Sequence, residues 1–272
     1  MQYKSIYPFL RELFPLSEGG PPSAFVGERS VVEDVDFPGI LVEVRFSREN
    51  FRDAMFELFG VDCPEWLKDS AAGRKSEFLA GRIAAKTGFS RLVGERPDFS
   101  SVLSSSVKNR CPQWKPGFVG SISHTSDRAF CAVGSKRGLR YVGVDMEDWI
   151  GNEVIRNIER KIIDRHERTV MEESGAAYEK VFTAVFSAKE SLFKALYPLV
   201  GRYFGFEIAK VTSVDLGRGI LMLQLEEGLH HCFPRGMELA AEVYFQAGYV
   251  ITIVWAGNQL SALVPDFLAS KG

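Results

Sequence analysis

Three strand-length apolar runs follow one another in the middle of the chain, at residues 118–124, 129–134 and 141–147. Short turn-forming segments join them, which is typical of β-structure. Four more strand patterns lie towards the carboxyl end, at residues 211–214, 220–225, 239–245 and 249–255. Because strand and helix patterns mix without strict βαβ alternation, the sequence predicts an α+β fold rather than a doubly wound sheet.

Helical patterns lie on both sides of the central strands. Apolar spacing predicts a helix over residues 71–86, closed by Gly88, and another over residues 182–196 that ends before Pro198. A further strand pattern at residues 40–46 precedes them. Shorter helices are predicted near residues 51–59 and 154–162.

Two other segments bear on the organisation of the chain. Residues 94–118 lose periodicity and are rich in serine, proline and glycine, so they predict a long loop of the kind that is often functional. The segments 77–86 and 186–195 both place basic residues among alanines and aromatics, a faint internal echo that leaves duplication open.

Amino-acid composition excludes several classes of protein for this chain. The 272 residues are 46% hydrophobic with a formal net charge of −2, which excludes a disordered chain and gives no global attraction to nucleic acid. No run approaches the ~18 apolar residues of a membrane helix, and we expect no secretory signal. The four cysteines are widely spaced and fit neither a zinc site nor a disulfide framework, so we expect a cytoplasmic protein.

Two carboxylates share one face of the third central strand. Asp145 and Glu147 are two residues apart, so both side chains project from the same side of the strand end. Oxygen ligands held this close suit Mg²⁺ or Mn²⁺. A solvent-exposed acidic turn is the alternative for this pattern taken alone.

The helix over residues 182–196 carries a second charged group. Glu190 and Lys194 are four residues apart and share a face, while Lys189 lies about 100° around the axis. An ordinary surface ion pair explains this spacing, but the helix is apolar on much of its circumference. Charges beside a buried face favour a functional role.

Two further groups offer donors for an anion. Ser123 and His124 end the strand at residues 118–124, where they suit phosphate, although a lone histidine there is more often structural. Arg74 and Arg82 lie on the first long helix, where a basic stripe binds phosphate or is merely solvated. The remaining histidines, at positions 166, 230 and 231, have no ligand-like partners in the sequence and receive no role.

Four segments in this order, GRKSEFLAGRIAA, PQWKPGFVGSISH, VGVDME and FSAKESLFKA, resemble the 4′-phosphopantetheinyl transferases of the Sfp type. The likeness is strongest to the branch that contains the enterobactin synthetase component D proteins, and it covers roughly residues 65–200. It implies two similar α/β halves related by a pseudo-twofold axis, with an N-terminal half over residues 1–140 and a C-terminal half over residues 141–272.

The resemblance also implies an activity. Such an enzyme uses Mg²⁺ and coenzyme A, moves the 4′-phosphopantetheine group onto a serine of a peptidyl, aryl or acyl carrier protein, and releases adenosine 3′,5′-bisphosphate. Siderophore or other nonribosomal peptide synthesis is the implied pathway, and we expect a monomer that binds neither nucleic acid nor membrane.

By matching motifs, the resemblance implies the following roles: metal ligands Asp145, Glu147 and Glu190; pyrophosphate contacts Lys189, Lys194, Ser123 and His124; 3′-phosphate contacts Arg74 and Arg82; and catalytic groups Glu190, Lys194 and His124, with Glu190 as the base. A metal ligand is a compromised base, so the base and ligand roles of Glu190 stay open. Lys194 could donate to the leaving phosphate or neutralise it.

The match is incomplete at one place. The usual tryptophan-proline step reads Trp114-Lys115-Pro116, and the preceding loop is serine-rich, which leaves Lys108 and Arg110 as candidate contacts without a secure match.

Two alternatives remain, a catalytically inactive relative that docks carrier proteins and a Mg²⁺-dependent nuclease. The nuclease lacks its expected E-x-K on a neighbouring strand.

Overall fold

A computed structural model of the chain describes residues 24–32, 36–94, 103–105 and 111–257. The strands of this part are β1 (Val26–Val32), β2 (Ile40–Phe46), β3 (Leu103–Ser105), β4 (Pro112–Trp114), β5 (Phe118–His124), β6 (Arg128–Ser135), β7 (Leu139–Asp148), β8 (Ala209–Asp215), β9 (Ile220–Leu225), β10 (Glu238–Phe245) and β11 (Tyr249–Gly257). The helices are α1 (Met55–Leu58), α2 (Glu65–Lys68), α3 (Ala72–Val93), α4 (Asn152–Ile162), α5 (Arg165–Glu173) and α6 (Tyr178–Val200).

The N-terminal half is an antiparallel sheet covered by one long helix. Its strand order is β1-β2-β6-β5, and α3 buries Leu79 and Ile83 against it. The helix runs through Gly88, where an added Cβ would lie 2.9 Å from Val133 and 3.1 Å from Val42. The prediction that Gly88 closes the helix is therefore wrong, because this glycine lets the helix approach the sheet.

The C-terminal half repeats this arrangement with a larger sheet. Its strand order is β7-β11-β10-β9-β8, and α6 packs on it. The helix continues past Pro198 to Val200, so the predicted end before this proline is wrong. Gly201, with φ 72°, ends α6 in the left-handed conformation that glycine adopts readily. The proline lies in the last turn and removes only one amide donor.

The two halves meet through a shared apolar cluster. Leu41 and Phe130 of the N-terminal sheet pack with Val144, Met146 and Ile251 of the C-terminal sheet. A buried polar contact crosses the same boundary, since the Tyr249 hydroxyl donates to both carboxylate oxygens of Glu43 at 3.1 Å. The long helices therefore belong to separate cores, while the sheets face a common one.

The α+β fold with two similar halves is confirmed. The central strands lie within two residues of their predicted limits, but β1 and α5 were not predicted, and the helix near residues 51–59 is only the short α1. Within the predicted loop, the described residues form the paired strands β3 and β4. The division at residue 140 stays a prediction. In the described part of the chain, no helix is both long and apolar enough to cross a membrane.

Candidate active site

A close approach between α6 and β7 builds the site. Gly143 lies on β7 two residues before Asp145, and a Cβ at this position would overlap the Ser191 carbonyl oxygen and the Ala195 amide nitrogen of α6. Because those are backbone atoms, a side chain here could be accommodated only by moving the helix away. The glycine therefore allows Lys194 to reach the carboxylate of Asp145.

Three side chains from three elements form one hydrogen-bonded cluster. The Lys194 ammonium lies 2.6 Å from Asp145 Oδ1 and donates to the Ser123 hydroxyl at 3.0 Å. That hydroxyl donates to Asp145 Oδ1 at 2.9 Å and accepts the Met146 amide at 3.2 Å. Ser123 belongs to the N-terminal half and Asp145 and Lys194 to the C-terminal half, so the cluster spans the boundary between them.

The second oxygen of Asp145 has a different environment. Asp145 is only 2% exposed, and its Oδ2 is a buried atom with no hydrogen-bond partner in the described residues. Leaving a buried carboxylate oxygen unsatisfied is costly, so this atom is suited to accept an electropositive ligand. This is a structural mark of a cation site.

Two more carboxylates interact electrostatically with Asp145. Burial, followed by repulsion from Asp145, raises the pKa of Glu147 to about 8, although Lys194 opposes the shift. Burial also raises the pKa of Glu190, with Lys194 opposing and Asp145 adding to the shift. The three acids therefore lie close enough to interact electrostatically.

The donors fit Mg²⁺ or Mn²⁺ in kind, because all are carboxylate oxygens. In the described part of the chain, however, Asp145, Glu147 and Glu190 do not form a group whose ligand atoms all lie within 4.8 Å of one another. Coordination of one ion by all three therefore requires at least one of these carboxylates to move.

A basic group adjoins the cluster on the side of α3. Arg74 Nη1 lies 3.2 Å from His124 Nε2, and Glu77 Oε2 lies 3.7 Å from His124 Nδ1. Burial lowers the pKa of His124, with Glu77 opposing and Arg74 and Lys194 adding to the shift, so the neutral ring is favoured at pH 7. Glu77 also contacts Arg48. Sequence reasoning missed Glu77 and Arg48, since nothing in their spacing links them to His124.

Lys189 lies elsewhere. Its ammonium is 2.6 Å from Glu167 Oε1 and donates to the Ile162 carbonyl at 2.7 Å, and the residue is 4% exposed. Burial lowers its pKa, and Glu167 opposes this shift. The expectation that Lys189 holds a pyrophosphate is therefore corrected, because this side chain joins α6 to α5 inside the C-terminal core.

Arg82 also points into a core. It is 6% exposed, its guanidinium lies 4.2 Å from the centre of the Phe78 ring, and burial lowers its pKa to about 10. The Arg74 side chain, by contrast, is 50% exposed. The expectation that Arg82 contacts a phosphate is corrected accordingly. Lys108 and Arg110 lie outside the described residues.

Comparison with known proteins agrees with the fold. The model of the 4′-phosphopantetheinyl transferase N-terminal domain matches residues 64–134, and that of the 4′-phosphopantetheinyl transferase superfamily matches residues 141–254. Enterobactin synthase component D of Salmonella typhi is 36% identical over 172 residues, which are 63% of this chain and 68% of that protein. The 4′-phosphopantetheinyl transferase PptT of Mycobacterium tuberculosis is 32% identical over 145 residues, 53% of this chain and 60% of that protein.

The fold and these relatives define a class of enzyme that transfers phosphopantetheine. The chain belongs to the 4′-phosphopantetheinyl transferase superfamily. Within it, the relatives support the enterobactin synthase component D branch, so the resemblance seen in the four motifs is confirmed. The nuclease alternative has no support among these relatives.

Proposed function

We propose that this chain transfers 4′-phosphopantetheine from coenzyme A to a carrier-protein serine, for siderophore or other nonribosomal peptide synthesis. The serine oxygen bonds to the phosphorus that carries the pantetheine arm. The phosphoanhydride bond breaks, and adenosine 3′,5′-bisphosphate leaves. One observation carries the proposal: Asp145 shares one oxygen with Lys194 and Ser123 and keeps the other buried and unpartnered.

The carboxylates form the proposed metal site. Asp145, Glu147 and Glu190 would hold Mg²⁺ or Mn²⁺, which is supported by the unpartnered Asp145 Oδ2 and by the raised pKa values of both glutamates. When bound, the ion would neutralise negative charge on the diphosphate of coenzyme A. Binding would also relieve the repulsion among the three carboxylates.

The cations form the proposed diphosphate site. Lys194 is 28% exposed, so its ammonium can contact both Asp145 and a ligand that arrives from solvent. Ser123 and His124 end the adjoining strand, and Arg74, which lies beside His124, is the proposed contact of the 3′-phosphate rather than of the diphosphate. Phosphoryl transfer depends mainly on positioning and charge stabilisation, which preorganised donors of this kind supply.

Glu190 is the proposed general base. Burial raises the pKa of this carboxyl above its ordinary value, which makes it a stronger base, and a bound ion would oppose this shift. It would take the proton of the serine hydroxyl, directly or through water, while Lys194 stabilises the charge that develops on the leaving phosphate.

The full chain, coenzyme A, Mg²⁺ and a panel of unmodified peptidyl, aryl and acyl carrier proteins provide the test. We expect intact-mass spectrometry to show one added phosphopantetheine on at least one carrier, and none on the same carrier with its acceptor serine replaced by alanine. Absence of a mass shift across the panel would support the inactive docking relative instead.

We also propose a cytoplasmic monomer with the division between halves at residues 140 and 141. Four free cysteines support a reducing compartment. The site combines Ser123 from one half with Asp145 from the other, so a single chain assembles the whole cluster. Size-exclusion chromatography with light scattering measures the oligomeric state.

A further inference from the structure

A second group of metal-ligating side chains lies away from the candidate active site. His230, His231 and Cys232 follow one another between β9 and β10, and each offers a ligand atom that lies within 4.8 Å of the other two. Both histidines are exposed and Cys232 is partly exposed, so solutes can reach the group. Nothing in the sequence pattern marks these two histidines as ligands, whereas the fold brings their ligand atoms close to the Cys232 thiol.

The backbone holds this turn in place. The Leu229 amide donates to the Phe233 carbonyl at 3.0 Å, and the Phe233 amide donates to the His230 carbonyl at 2.8 Å. Leu229 is 7% exposed and Phe233 is 1% exposed, and both belong to the C-terminal core. The three ligand residues therefore project from a short turn whose two ends are anchored.

The side chains are already close together. The His230 and His231 ring centroids are 3.8 Å apart, and His230 Nδ1 accepts the Cys232 amide at 3.4 Å. Little conformational freedom remains to be lost when the group gathers around an ion. This lowers the entropic cost of binding.

We propose that this turn binds Zn²⁺ through the two imidazoles and the Cys232 thiolate. Nitrogen and sulfur donors match zinc, which takes four ligands in tetrahedral geometry. Three protein ligands leave one position for water. The oxygen donors of the active site favour Mg²⁺ instead, so the two sites differ in the class of metal that they select.

Titration of the metal-free full chain with Zn²⁺ against a chromophoric chelator measures affinity, and the absorption spectrum with Co²⁺ reports thiolate coordination. We expect one tight equivalent for the wild type. Cys232→Ser and His231→Ala should each weaken binding at least about tenfold, because even the loss of a group that merely supports a ligand costs 10–100-fold. Cys232→Ser should also remove the thiolate-to-cobalt charge-transfer band.

Cys63→Ser and His166→Ala are the matched controls, because these residues lie on other parts of the chain. Both should bind as the wild type does. Equal affinity in the wild type and in Cys232→Ser would overturn the proposal, as would loss of binding in the Cys63 variant. If Asp145→Asn lost Zn²⁺ binding while Cys232→Ser kept it, the ion would be bound at the active site and the proposal would be contradicted. Carrier loading is not part of the readout, so the outcome is independent of the proposed function.

Discussion

Helices α3 and α6 each cover one antiparallel sheet, and among the cations of each helix one beside the candidate site is partly exposed while another is buried. On α3, the Arg74 side chain is 50% exposed beside His124, whereas the whole of Arg82 is 6% exposed against Phe78. On α6, the Lys194 side chain is 28% exposed beside Asp145, whereas the whole of Lys189 is 4% exposed against Glu167. The halves share this plan but differ in chemistry, because the carboxylates of the site belong to the C-terminal half.

Helical position, rather than charge, therefore separates the partly exposed cations from the buried ones. Lys189 and Lys194 have the same side chain on the same helix. Lys189 is enclosed by α5 and the end of α4, whereas Lys194 contacts Asp145 on β7.

The largest effect on stability is expected at Lys189. Lys189→Met leaves the Glu167 carboxylate buried without its ion-pair partner, which should lower the free energy of unfolding by about 3–5 kcal/mol. Lys194→Met should cost less stability, because this ammonium is partly solvated, but should slow carrier loading far more per folded molecule. Urea denaturation and loading rates measure the two effects. A greater loss of stability in Lys194→Met than in Lys189→Met would contradict the assignment of Lys189 as the structural lysine.

Two glycines test the helix-to-sheet contacts. Gly143→Ala should destabilise the protein by about 3 kcal/mol, the upper end of the range for overpacking, because the new methyl group meets backbone atoms of α6. Gly88→Ala meets the side chains of Val133, Val42 and Ile40 but no backbone atom within 4 Å. Because alanine also gains about 1 kcal/mol of helix propensity, the net effect should be under about 1 kcal/mol. Equal losses in denaturant unfolding would mean that α6 is not the more closely packed helix.

The two arginines of α3 should differ in ligand preference. Arg74→Ala should raise the KM for coenzyme A about tenfold more than that for dephospho-coenzyme A, as expected for the loss of one charge-assisted hydrogen bond to the 3′-phosphate. Arg82→Ala should lower the melting temperature and leave the ratio of the two KM values unchanged. A changed ratio of the two KM values in the Arg82 variant would mean that Arg82 does contact the 3′-phosphate.

The last prediction concerns how the free energy of unfolding depends on pH. Glu147 should contribute to this dependence when a metal chelator is present. Its pKa of about 8 exceeds the value of about 4.3 in an unfolded chain. Between these pH values the folded state retains a proton that the unfolded state has lost, so stability falls as pH rises through this window. Glu147→Gln should remove this fall, because the amide does not titrate in this window. The exposed Glu153→Gln variant is the control. If the free energy of unfolding of Glu147→Gln depended on pH as the wild type does, the raised pKa of Glu147 would be contradicted.

Sequence patterns predicted the strands well because period-two alternation and turn residues are local signals. The proximity of Asp145 to Glu147 also follows from local spacing, and the approach of Lys194 and Ser123 was expected from the family resemblance. The environment of Lys189 could not be predicted, since its partner Glu167 lies on α5, which showed no clear signal. The His230 group was missed because its geometry depends on the hydrogen bonds of one turn.

The central claim is that Asp145 and Lys194 act as one unit in phosphopantetheine transfer. Carrier-loading rates of Asp145→Asn, Lys194→Met and the double variant, compared at matched folded fractions, test it most directly. We predict that each single change lowers the rate at least about 100-fold and that the double variant is little slower, because residues that act together are strongly non-additive. Loading by Asp145→Asn at the wild-type rate would contradict the account.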